Sequence, residues 1–101
     1  MKQSDKPSIL VVDDDEIILV ALKETVQAEG YKIVTANNPL DGLERVKEEN
    51  FAVIISDQRM AEMTGLEFFN EAKNIQPEAS RILITGVLTL KTVIDAVNKG
   101  E

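Results

Sequence analysis

Carboxylates dominate the residues of this chain that could do chemistry. The apolar run Ile9-Leu10-Val11-Val12 stops at a block of acids, Asp13-Asp14-Asp15-Glu16. A second apolar run, Ala52-Val53-Ile54-Ile55-Ser56, stops at Asp57. If both runs are strands of one parallel sheet, both acidic ends fall on the same edge. At least three carboxylates would then share a small cleft. Like charges at that range oppose one another's ionisation unless a cation lies between them. A divalent cation with oxygen ligands is the usual remedy. Two strand ends therefore suggest a metal site and, with it, phosphoryl chemistry.

Missing residue types narrow the choice further. The 101 residues include no cysteine and no histidine. Disulfides, thiolate or imidazole metal sites and histidine-based triads are thereby excluded. Any chemistry falls to carboxylates, hydroxyls, lysines and backbone. The net charge of -7 argues against direct contact with nucleic acid, because phosphate backbones are bound by Lys and Arg. A hydrophobic share of 44% and a charged share of 29% fit a soluble globular protein. The length fits one small domain, residues 1–101, with a single core. No stretch is long and apolar enough for a membrane span, and Met1-Lys2-Gln3-Ser4-Asp5-Lys6 lacks the apolar centre of a signal peptide. A cytoplasmic location is expected.

The acids need elements to position them, and the pattern alternates strand and helix. Residues 8–12 read as a buried parallel strand. A helix starts at Asp15 or Glu16 and runs to about Ala28, with Ile18, Ala21, Leu22 and Val26 inward and Gly30 at the left-handed stop. Residues 32–36 form a second strand. Asn38-Pro39 gives an N-cap and a first-turn proline for a helix to about Glu49, with Leu40, Leu43 and Val46 inward. The third strand covers 52–56. Thr64-Gly65-Leu66-Glu67 fits a capping box for a helix ending near Ile75. Residues 81–85 form a fourth strand, and 89–98 a last helix closed by Gly100. Such βαβ units imply a doubly wound α/β fold with a parallel sheet covered on both faces. Sheets of this kind bind ligands beyond the carboxyl ends of their strands, where the acids, Asp57 and Thr85 fall.

The order and spacing of these pieces resemble the receiver domain of bacterial two-component response regulators. The matching pieces are Val12-Asp13-Asp14, the strand ending in Asp57, Met60 three residues on, Gly65 eight residues on, and Ile84-Thr85-Gly86. The resemblance implies a flavodoxin-like sheet of order 2-1-3-4 and a phosphoacceptor at Asp57. It implies Mg²⁺ held directly by Asp14, through water by Asp13, and by the backbone carbonyl of Arg59. Thr85 would contact the phosphoryl group, Gly86 would leave room for its oxygens, and Arg59 and Val87 would tune phosphate lifetime. The phosphoryl donor would be a sensor histidine kinase, and an output domain or effector would read the result. The module would not be an enzyme beyond self-phosphorylation and slow autodephosphorylation.

Receivers continue into a fifth strand, carrying a lysine and a switch aromatic, and then a fifth helix. Here Gly100-Glu101 stands where that strand should begin, and Lys99 precedes the closing glycine. The expectation is a truncated receiver with a bared fourth-strand edge, and so a homodimer or element-swapped oligomer. Ala61 replaces the proline usual after Met60, which loosens the loop. Two other readings compete. One is an interaction module with the receiver fold but without phosphotransfer. The other is a small phosphohydrolase with an aspartate nucleophile in Asp13-Asp14-Asp15, which leaves Asp57 without a task. Individually, each residue also has a plainer use: acids stabilise a helix N-terminus by about 0.3–1 kcal/mol, and Asp57 alone could be a turn residue.

Overall fold

Four short apolar runs become four parallel strands. The computed structural model describes residues 7–84. The elements are β1 (Ser8–Val12), α1 (Glu16–Ala28), β2 (Lys32–Ala36), α2 (Pro39–Glu48), β3 (Val53–Asp57), α3 (Gly65–Ile75) and β4 (Ser80–Ile84). The strands lie in the order β2-β1-β3-β4, every pair parallel. This is the flavodoxin-like order expected from the sequence. The third and fourth strands each sit one residue from their expected limits, so Asp57 closes β3 rather than following it. The expected helix over 89–98, with Gly100, lies outside the described residues.

Alternation along the strands divides the core into two layers. Ile9, Val11, Val53 and Ile55 face Leu19, Leu22 and Val26 of α1. Leu10, Val12 and Ile54 face Val46 of α2 and Phe68, Phe69 and Ala72 of α3. All four apolar residues of β1 from Ile9 to Val12 are fully buried, as expected for a strand covered on both sides.

Two helix faces differ from the sequence reading. Ile18 is exposed, and Leu19 takes the buried position. The stretch Ile17-Ile18-Leu19-Val20-Ala21-Leu22 is apolar all round, so spacing alone did not fix its phase. Leu40 is also exposed, at 57%. Helix α2 rests on Pro39, Gly42 and Val46, and a Cβ on Gly42 would come within 2.8 Å of Val12 Cγ2. Close approach through that glycine turns Leu40 toward solvent.

Helix ends follow the local chemistry. Asp15 caps α1 by accepting the Ile17 N–H at 3.0 Å. Gly30 stops it at φ 93°, its N–H donating to the Gln27 carbonyl at 2.9 Å. That left-handed conformation suits glycine, which has no Cβ to clash. Both halves of the expected capping box form at α3: Glu67 N–H donates to Thr64 Oγ1 at 3.1 Å, and Thr64 N–H donates to Glu67 Oε1 at 2.9 Å.

Gln76, which sequence reasoning passed over, binds the opposite end of the molecule together. Its side-chain carbonyl accepts the Phe51 N–H at 2.9 Å. Its amide donates to the carbonyls of Val46 and Glu49 at 2.7 and 2.6 Å. Gln76→Ala strands a backbone donor and two acceptors where the first core residue of the α2–β3 connection enters. We expect a loss of about 2–3 kcal/mol in urea unfolding.

Candidate functional site

Parallel pairing brings the ends of β1 and β3 side by side, with Val12 opposite Ser56 in the register. The next residues, Asp13 and Asp57, therefore emerge together at the carboxyl edge. Asp13, Asp14 and Asp57 each offer a carboxylate oxygen, and these atoms lie within 4.8 Å of one another. Oxygens on opposite sides of an octahedral magnesium ion are about 4.2 Å apart, so small side-chain rotations would seat one ion. Among the described residues no ion pair involves any of the three; the three pairs found are on exposed surface elsewhere.

The four consecutive acids have separate tasks. Asp13 is buried, at 3% exposure. Its backbone N–H donates to the Ala36 carbonyl of β2, and its Oδ1 accepts the Asp15 N–H at 2.9 Å. Asp14 is exposed at the mouth. Asp15 caps the helix, and Glu16 accepts a hydrogen bond from Asn37 Nδ2 at 3.1 Å. Only the first two therefore face Asp57.

Burial governs the protonation of Asp13. Burial pushes its pKa from 3.8 up to about 6, the carboxylates of Asp57, Asp14 and Asp15 add to the rise, and the Asp15 N–H opposes it. A buried carboxylate without a counter-charge is expensive. This donor set of carboxylates without nitrogen or sulfur suits a hard divalent cation such as Mg²⁺.

The backbone after Asp57 is held from two sides. Gln58 N–H donates to the Ile84 carbonyl of β4 at 3.1 Å, and the Gln58 carbonyl accepts the Gly65 N–H at 3.0 Å. Gly65 is buried against the strand end. A Cβ there would stand 2.5 Å from the Asp57 carbonyl oxygen, so the glycine permits close approach of α3 to the strand end. Ser56 is buried and its hydroxyl donates to the Asp57 carbonyl at 2.9 Å. Met60 packs partly buried against the α2–α3 core layer. Arg59 is exposed on the loop two residues beyond Asp57. Thr85, Gly86 and Val87 lie outside the described residues, as do Lys91 and Lys99; β4 ends at Ile84, paired with Asp57 in the register. Sequence reasoning missed Gln58 and Ser56, because neither carries a charge or a motif position.

Comparisons with known proteins agree on family and fold. The family model for the response regulator receiver domain matches residues 9–101. The chain is 37% identical over 92 residues to the transcriptional regulatory protein ZraR of Klebsiella oxytoca, covering 91% of this chain and 21% of that protein. It thus spans about a fifth of the length of the curated relatives it matches. A CheY-like receiver domain protein from Methanospirillum hungatei JF-1 superposes with a TM-score of 0.79 at 30% identity, covering 95% of this chain and 77% of that one. Response regulator TrrA of Thermotoga maritima, solved in complex with Mg²⁺-BeF, gives 0.75 at 34% identity, covering 93% and 80%.

Proposed function

The chain belongs to the response regulator receiver domain family, and from that premise we propose that it accepts a phosphoryl group on Asp57 from a sensor histidine kinase. The observation that carries this reading is the convergence of Asp13, Asp14 and Asp57 within 4.8 Å at one sheet edge. Asp13, Asp14 and Asp57 would hold Mg²⁺, with the Arg59 carbonyl as a further ligand. Bound there, the ion would offset the charge of the carboxylates and of the phosphoryl oxygens. The Mg²⁺-BeF complex of TrrA supports the same use of the cleft.

Asp57 supplies the nucleophilic oxygen. A new O–P bond forms at its carboxylate as the P–N bond of a phosphohistidine breaks, and the imidazole leaves with the electron pair and takes up a proton. With a small acyl phosphate, the P–O bond breaks and the carboxylate departs. Ser56 and Gln58 fix the Asp57 backbone, so the carboxylate is positioned rather than activated by a base. By the family resemblance, Thr85 is assigned the hydroxyl contact to the transferred group and Gly86 the room for its oxygens. Arg59 and Val87, by the family resemblance, tune how fast water removes the phosphate.

Receiver domains are generally not enzymes, and turnover here is confined to the protein's own phosphorylation and slow hydrolysis. The domain works in the cytoplasm with its kinase and controls an output domain or effector; the name of ZraR, a transcriptional regulatory protein, supports that output.

Labelling with radioactive acetyl phosphate tests the proposal. The wild-type chain takes up one phosphoryl group per molecule in Mg²⁺, and Asp57→Asn takes up none. Chelating the metal lowers the labelling rate by about a hundredfold or more. Catalytic release of phosphate from a generic ester without stoichiometric labelling would instead favour the phosphohydrolase reading. Absence of both labelling and Mg²⁺-dependent beryllofluoride binding would leave a non-phosphorylated interaction module.

A further inference from the structure

Besides the Thr64 cap N–H, which goes to Glu67 Oε1, the first turn of α3 has three backbone N–H groups that no helical carbonyl can accept. Thr64 Oγ1 takes the third, from Glu67. The other two both go to one residue. The Gln58 backbone carbonyl accepts the Gly65 N–H at 3.0 Å, and the Gln58 side-chain Oε1 accepts the Leu66 N–H at 3.1 Å. On its other side, the Gln58 N–H reaches the Ile84 carbonyl at the end of β4. A single residue, next to Asp57, thus joins β3, β4 and α3. Of these three contacts only the carboxamide one depends on the side chain being glutamine.

We infer that the Gln58 side chain is a positioning residue for phosphotransfer: by latching the first turn of α3 to the residue after Asp57, it holds the acceptor carboxylate and the loop carrying Arg59 in a reactive arrangement. The inference rests on Asp57 being the phosphoacceptor. The physical argument is the short lever between the latch and the chemistry. Without it the 58–64 loop keeps its backbone anchors but gains freedom to rotate about them. Displacements near an ångström at a reacting group cost up to about a hundredfold in rate. The partial positive charge at the α3 N-terminus would also lose the one side-chain oxygen that Gln58 offers it.

The test compares Gln58→Met, close in shape but without the acceptor, and Gln58→Glu, which keeps an oxygen for the Leu66 N–H. Acetyl phosphate labelling is followed at saturating Mg²⁺ and donor, well below the melting temperature of every variant. We expect Gln58→Met to lower the saturating rate about tenfold, with little change in the donor concentration giving half the maximal rate. Gln58→Glu restores the rate to within about threefold of wild type, because the hydrogen bond to the helix end is regained. A purely structural role would lower the melting temperature of Gln58→Met and leave that saturating rate alone. Wild-type rates for Gln58→Met, or equal losses in both variants, would overturn the latch. An unlabelled wild-type chain would overturn the phosphoacceptor reading itself, and the latch with it.

Discussion

Asp13→Asn raises the stability of the metal-free protein near neutral pH by about 2–3 kcal/mol and abolishes its response to magnesium. The reason lies in the burial of Asp13 among other acids, which lifts its pKa from 3.8 to about 6. A group whose folded pKa exceeds its unfolded value binds the proton more tightly when folded. Its contribution is therefore most favourable below about pH 4, declines as pH rises through the interval to about 6, and is unfavourable above it. At about 1.4 kcal/mol per tenfold change in proton affinity, the interval amounts to roughly 3 kcal/mol. Asparagine avoids that loss and still offers an oxygen to the Asp15 N–H. Urea unfolding without metal should then show the two proteins close in stability at about pH 4 and separated at about pH 7. Saturating Mg²⁺ should bring the wild type back up and leave Asp13→Asn unmoved, through the ordinary linkage of ligand binding to folding. A variant that is no more stable than wild type near neutrality, or that gains equally from magnesium, would contradict the acidic cleft as described.

Gly65→Ala is the most damaging single-carbon change expected near the site. Its Cβ would lie 2.5 Å from both the Asp57 carbonyl oxygen and Leu83 Cδ1. The leucine methyl can rotate aside, but the carbonyl belongs to a paired strand. Relief requires α3 to withdraw from the end of β3, which stretches the Gly65–Gln58 hydrogen bond and loosens Phe68, a fully buried residue. Overpacking of this kind costs about 3 kcal/mol, or a fall in melting temperature on the order of 12 °C or more for a domain of this size. Labelling at Asp57 should fall as well, since the displaced backbone is that of the proposed acceptor. Calorimetry beside a labelling assay separates the two effects. A variant that melts within about 2 °C of wild type would mean the helix yields without strain.

Much of this architecture is legible in one sequence because strand ends are abrupt. β1 and β2 coincide with the apolar runs at 8–12 and 32–36, since acids or asparagines terminate them. The convergence of Asp13 and Asp14 with Asp57 follows from parallel pairing alone. What escaped is set by tertiary contact. The inward face of α1 could not be chosen within a segment apolar on every side. Leu40 looked buried until Gly42 was seen to form the contact surface. Gln58 and Gln76 reach partners 8 and 25–30 residues away, and no local rule assigns an uncharged amide to such a task. The division of labour among the four acids also needed the fold, because capping and metal binding ask for the same side chain.

The central place of β1 has a kinetic consequence. It is bonded to β2 on one side and β3 on the other, and both its faces are covered. Its amides can exchange with deuterated water only when most of the molecule opens. Asp13 is attached directly to that slowest segment, whereas Asp57 closes a strand whose other neighbour, β4, is only partly buried along its length. The cleft therefore has one wall on a strand flanked by β2 and β3, and the other on a strand whose outer neighbour is only partly buried.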